Sequence, residues 1–485
     1  MAMPPGPLGG PAATRPALPR APDPDVPLPA VIERLFSELP RDCCEIDQLA
    51  AALMRCCRDQ VDLLRRAYDS DAVCALLGEE TDALQAWLED ELDEDWLDGD
   101  ELDAFKAAVR RAARRLETLP VPGEQAVVVA MRIAADALDR SHGRRFAGVF
   151  RGRGSTSIAA GDPFPVCRPP LKEIFRDQLG TNPMRLGPQL HELTWLRLMP
   201  RLDRGHQVVL DFTAEDALCD LEPNSRIGVL IPGNVLPDLR FERTGVNEPR
   251  FFHVRPKRSQ AQQETILGLL DQAEKAGARI VVLPELSVDA DIVAAVQAWF
   301  EHPSRLMSLL VCGSMHAVRD DQHRNVSTIF LRGGRSLEHF KFNPFYIPLP
   351  TDDGTLAVHR EDIVTHPSVI RIVVCGAWSF TTLICKDFLE ADVDRSLEAL
   401  AVRMVLVPAC SPKTDIFEPI AGILAARNQA VVVIANLANT GADDPASVII
   451  ARPTRENPVQ RILRSEITPP CLLFVDLAGS HRLDS

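Results

Sequence analysis

The chain has 485 residues, 46% of them hydrophobic, and a formal charge of −15. That length exceeds what one hydrophobic core sustains, so two or three domains are expected. The acidic balance argues against a general nucleic-acid binder and against an anionic-membrane binder. No apolar run reaches the length that crosses a bilayer.

Residues 1–27, MAMPPGPLGGPAATRPALPRAPDPDVP, read as a disordered proline-rich leader that cannot build a core. They lack the basic-then-apolar order of a secretory signal. Set beside twelve cysteines, this predicts reduced thiols and a cytoplasmic protein.

Residues 28–118 predict a helical bundle. In LPAVIERLFSEL, Val31, Ile32, Leu35, Phe36 and Leu39 form a helical stripe, and EIDQLAAALMRCCRDQVDLLRRAY and ELDAFKAAVRRAARRLETL repeat it. The doublets Cys43-Cys44 and Cys56-Cys57 are adjacent, not spaced as zinc ligands are, so core packing is expected. LEDELDEDWLDGDELD fails as a calcium loop: with Gly99 sixth, Glu94 is first but Trp96 falls third. A solvated or partner-facing acidic surface is the better reading.

Residues 119–224 are left unassigned, as an α/β or linker segment. VVVAMRIAADAL suits a helix or a strand. RRFAGVFRGRGSTS has Gly152 and Gly154 but no Gly-Lys-Ser/Thr ending, so it reads as a hairpin or basic surface loop instead of a phosphate loop.

Residues 225–485 are α/β. Strand-like runs appear at RIGVLIP, RIVVLPE, SLLVCGSMH, STIFLRG, HFKFNPF, VIRIVVCG, FTTLIC, RMVLVPAC, AVVVIANL, SVIIAR and CLLFVDL. Helix-like stretches separate several of them: QAQQETILGLLDQAEKAG, DADIVAAVQAWF, ADVDRSLEALAV and FEPIAGILAARNQ. Strands too apolar to face water, alternating with helices, predict α/β layers with a mixed sheet.

Three residues sit near the ends of these strands, where reacting groups collect in α/β sheets. Glu285 closes RIVVLPE, Lys341 lies in HFKFNPFYIP, and Cys385 ends FTTLIC. A thiol becomes a useful nucleophile only as thiolate. A glutamate can take its proton and return it to a leaving amine. A lysine, with the backbone N–H after the cysteine, can hold a developing oxyanion. Together they meet the demands of attack on an amide or nitrile carbon. Cys312, Cys375 and Cys410 lie in or beside apolar strands and read as core thiols. His316, His339 and His359 read as ordinary loop histidines.

VVLPELS, HFKF and TTLICKDFLEADVDRSLEALAVRMVLVPAC, in that order, resemble the nitrilase superfamily, the carbon–nitrogen hydrolases. The resemblance covers residues from about 225 to 477, and AARNQAVVVIANL continues it, with Arg427 and Asn428 as fold-stabilising residues near the site. It implies a four-layer α-β-β-α sandwich, preceded by a mainly α-helical N-terminal domain that rests on the helical stripes of residues 28–118 and not on the resemblance. It also implies a triad in which Glu285 is the acid–base, Lys341 holds the oxyanion and Cys385 attacks to form a thioester. Lys386, Asp387 and Asn343 stand as supporting groups. Family members often carry a second glutamate after the lysine. NPFYIPLPTDDG offers none, and Asp352 and Asp353 are the substitutes in reach. No metal or organic cofactor is implied. The expected partners are a small amide, nitrile or carbamoyl substrate, a second copy of the chain in a homo-oligomer, and a protein bound by the helical N-terminal module. The competing reading is a weak or inactive nitrilase-like scaffold used in binding or signalling.

Overall fold

The computed structural model describes residues 43–67, 70–91, 96–120, 122–165, 196–202, 205–222, 225–233, 239–244, 250–351, 353–376, 378–428, 430–437, 446–453, 462–466 and 468–477. The leader and the helix expected in LPAVIERLFSEL lie outside them. The chain divides into two compact units, Met1–Arg144 with Leu190–Thr194, and Arg145–Gln189 with Trp195–Ser485.

In the first unit, helices run over Ile46–Asp59, Val61–Ala67, Asp71–Glu91 and Gly99–Glu117. The last shows why. Leu102, Phe105, Val109, Ala112 and Leu116 recur every three or four residues, and all are buried. Asp98 accepts from the Glu101 N–H at 2.9 Å, and Glu101 returns a carboxylate to the Asp98 N–H at 2.8 Å. Part of the acidic run is thus consumed in a capping box that starts this helix. Cys56 and Cys57 are buried, as core thiols should be.

A further helix, Gly123–Gly152, takes in all of VVVAMRIAADAL and continues through RRFAGVFRG. The hairpin or loop expected there is not formed. Phe146 and Phe150, one helical turn apart, pack ring on ring at 5.2 Å, and Phe150 meets Phe212 at 6.2 Å. That apolar face outweighs the glycines, and the turn waits until Gly154, at φ +71°.

The second unit holds two large sheets. One runs Met315–Arg319, Gln322–Leu331, Leu309–Val311, Ala278–Val282, Arg226–Ile231, Cys471–Asp476, with Arg335–Phe340 also on Gln322–Leu331. The other runs Ile462–Glu466, Ala446–Ala451, Val431–Asn436, Met404–Ala409, Trp378–Thr382, Val369–Cys375, Gln207–Asp211, Ser155–Ile158. Both mix parallel and antiparallel pairs. A third sheet of four strands runs Tyr346–Pro350, Leu356–Glu361, Phe251–Pro256, Leu239–Thr244.

Alternate residues of the large sheets enter different cores, because a strand points successive side chains to opposite faces. Val229, Ile280 and Val311 of the first share a cluster with Phe380, Leu406 and Val433 of the second. Their neighbours Leu230, Val281 and Leu310 pack with Ile266 and Leu270 of helix Ser259–Lys275 and Ile292 of helix Ala290–Phe300. On the other sheet, Val405 and Val432 pack with Leu397 of helix Ala391–Ala399 and Leu424 of helix Glu418–Arg427. Burial on both faces is why these strands read as continuous apolar runs.

A backbone bond ties the two sheets where it matters: the Glu285 N–H donates to the Ala409 carbonyl at 3.3 Å. The turn carrying Glu285 is backed by Gly313, at φ +56°, where a Cβ would strike the Pro284 carbonyl and the Ser287 hydroxyl. Gly313→Ala therefore meets both left-handed strain and a clash. We expect it to lose at least about 2 kcal/mol of stability, measured by urea unfolding.

Candidate active site

Glu285 leaves the strand Ala278–Val282 on a tight turn whose next residue, Leu286, has φ +58°. Cys385 itself adopts φ +48° and opens a short 3-10 turn, Cys385–Leu389. Left-handed backbone at a non-glycine residue is costly and persists only where the surroundings enforce it. Asp387 supplies part of that enforcement. It is fully buried, and its carboxylate accepts the Asn343 N–H at 2.8 Å and the Phe342 N–H at 3.2 Å. His339 Nε2 lies 3.4 Å from its other oxygen. The cysteine turn is thereby clamped to the segment that carries Lys341.

Lys341 is 1% exposed, and its ammonium donates at 2.7 Å to Glu285 Oε1 and at 2.7 Å to Glu361 Oε2. Asn325 Nδ2 bridges the same carboxylates, at 3.0 Å to Glu285 and 2.7 Å to Glu361. Glu361 also accepts from the Phe345 N–H at 2.8 Å, and His316 Nε2 lies 2.9 Å from it. His316 Nδ1 accepts the Val254 N–H at 2.7 Å, which leaves its Nε2 to face Glu361.

The electrostatics separate the two glutamates. Burial pushes Glu285 above the usual carboxylate range, and the Glu361 charge adds to this against the pull of Lys341. Burial works the same way on Glu361, but Lys341 and the His316 bond overcome it and hold that carboxyl well below its usual range. Lys341 stays protonated: burial opposes its charge, and two carboxylates more than compensate. Burial and the adjacent Glu285 push the Cys385 thiol up, against Lys341.

Beside this cluster opens a cavity of about 290 Å³, lined by Phe241, Phe252, Phe345, Tyr346 and Ile347 and reaching Glu285, Lys341, Glu361 and Cys410. Cys385, 4% exposed, feels the charges of Glu285 and Lys341 and does not itself line that cavity.

Glu285, Lys341, Cys385 and Asp387 are thus brought together. Lys386 turns aside, its ammonium 3.5 Å from the Pro344 carbonyl and 5.5 Å from the Tyr346 ring centre. Asn343 contributes its backbone N–H, while its Nδ2 is buried with no hydrogen-bond partner among the described residues. Asp353 does not reach the cluster. It is exposed in the turn between Tyr346–Pro350 and Leu356–Glu361, and bonds from the Thr351 and Thr355 hydroxyls and the Thr355 N–H lower it to about 2. Asp352 lies outside the described residues. The second carboxylate is Glu361, which sequence reasoning missed along with Asn325 and His316. The missed signal was the Asp-Gly step of TDDGT between alternating YIPLP and LAV, a hairpin signature that carries the chain to Glu361.

No family model matches the chain, and no curated protein matches it. Among solved structures, it is similar to an amidase from Nesterenkonia sp., at 18% identity and TM-score 0.38, over 52% of this chain and 90% of that one. A mutant of that amidase bears the acetamide moiety of fluoroacetamide on its active-site cysteine, with the same identity, TM-score and coverage. Another, in complex with butyramide, matches at 18% and 0.38 over 53% of this chain and 91% of that one.

Glu361→Gln tests the cluster. Because its folded carboxyl lies below the ordinary value of 4.5, Glu361 contributes stability that is complete above that pH and lost as pH falls below it. The variant should be about 3 kcal/mol less stable near neutrality, with the gap closing in acid, by urea titration at both pH values.

Proposed function

We propose that this chain is a carbon–nitrogen hydrolase of the nitrilase type. In this reading residues 225–485 form the four-layer α-β-β-α sandwich, joined by strands from 119–224, and the N-terminal helices form an interaction or regulatory module. The single observation that carries the proposal is the buried Glu285–Lys341–Glu361 cluster coupled to a cysteine on a left-handed turn. An inert core thiol requires none of these, since free cysteine packs well without partners.

The chemistry follows from the charges. The Cys385 thiol is held protonated at rest, so attack needs a base, and Glu285, raised by burial, is that base. As Sγ bonds to the carbonyl carbon, its proton passes to Glu285 and the carbonyl electron pair moves to oxygen. Lys341 Nζ and the backbone N–H of Lys386 receive that oxyanion. Collapse breaks the C–N bond, Glu285 protonates the departing amine, and a thioester remains. Water then attacks, giving a proton to Glu285; the C–S bond breaks and the proton returns to sulfur. Glu361 keeps Lys341 charged and aimed throughout. The cavity is at the small end of ligand sites, about 300–1,000 Å³. Its aromatic and aliphatic wall suits a short apolar acyl group with the scissile C–N bond at the polar end.

Cys385→Ser should reduce turnover of short aliphatic amides at least about 1,000-fold with the far-ultraviolet spectrum unchanged, and Glu285→Gln about 100–10,000-fold. Chloroacetamide should label Cys385, which has Glu285 beside it as base, ahead of Cys312, whose thiol is raised by burial alone with no carboxylate beside it, and lose that preference in Glu285→Gln. An unchanged rate in Cys385→Ser would end the proposal.

A further inference from the structure

Immediately after Glu361, the Asp362 carboxylate meets histidines from two other strands. His323 Nδ1 lies 2.8 Å from Asp362 Oδ2, and His253 Nε2 lies 3.3 Å from the same oxygen. His253 belongs to the strand Phe251–Pro256 of the third sheet, and His323 to Gln322–Leu331 of the first. The two rings sit edge to face, 4.5 Å between centres. One ligand atom from each of His253, His323 and Asp362 falls within a mutual separation of 4.8 Å. His316 stands nearby, 5.3 Å from the His253 ring, but both its nitrogens are engaged by Val254 and Glu361. The convergent set is therefore three residues.

We propose that His253, His323 and Asp362 form a site for a divalent transition cation of the zinc class, pinning the third sheet to the first. Two imidazole nitrogens and one carboxylate oxygen are the ligands zinc takes, at about 2.0–2.2 Å, leaving a fourth position for water. Calcium and magnesium demand oxygen throughout and are poorly served here. The His323 side chain is 43% exposed, against 16% for His253 and 23% for Asp362. A cation and its water therefore arrive from solvent. The ion takes no part in acyl transfer. Its work is structural: the third sheet carries Glu361 and walls the cavity, and the site fastens it beside that glutamate.

The test uses the full chain, stripped with chelator and dialysed, and reads binding of Zn2+ by calorimetry and of Co2+ by visible absorption. We expect one equivalent bound without a thiolate charge-transfer band. The melting temperature should rise with Zn2+, because an ion bound only by the native state stabilises it. His323→Ala and Asp362→Asn should each weaken binding at least about tenfold and abolish the rise. His323→Ala, at the most exposed position, decides if the buried-side variant fails to fold. No binding, a thiolate band, or unchanged affinity in His323→Ala overturns the site and leaves these residues as a histidine–carboxylate hydrogen-bond cluster.

Discussion

The site is organised by one ammonium held dry between two carboxylates. Lys341 at 2.7 Å from both Glu285 and Glu361 leaves the cluster with one negative charge too many when all three are ionised. A buried net charge is expensive, and such a cluster relaxes by taking up a proton. The partners of each glutamate decide where that proton goes. Glu361 accepts from Lys341, Asn325 and Phe345, with His316 beside it. Glu285 has fewer donors and stands next to the cysteine, so the basicity of the pair is expressed there.

Geometry is delivered by backbone turns instead of long side chains. Both Leu286 and Cys385 hold left-handed φ values, and each turn is pinned from another element: the first by Gly313 and Ser314, the second by Asp387 reaching back to the backbone after Lys341. Asp387 thus explains the Ile-Cys-x-Asp spacing. Two residues after the thiol, a carboxylate can grip the backbone that follows Lys341.

Much of this was legible. The central strands of the two large sheets, such as MVLVPA at Met404–Ala409, are apolar on both faces because both faces are buried. Glu285, Lys341 and Cys385 announce themselves as polar residues closing such runs. Glu361 did not, because HRED reads as a charged surface and its burial depends on partners from other strands, His316 and Lys341 among them. Charge next to charge is the pattern of solvent, and only tertiary pairing reverses it. The strands Ser155–Ile158 and Gln207–Asp211 were missed for a related reason. They lie at one end of the eight-stranded sheet, STSI is short and polar, and its burial is confined to alternate positions.

Phe345 links the cavity wall to the electrostatics of the cluster. Its side chain lines the cavity, while its N–H and carbonyl both bond to Glu361, at 2.8 Å each. A substitution that shifts the backbone at this position also moves the N–H that donates to the Glu361 carboxylate, and through Lys341 it bears on Glu285. Under the proposed activity, the shape of the pocket and the charge state of the cluster are tied together at Phe345. A lineage that widened this wall would disturb the charge balance of the cluster in the same step.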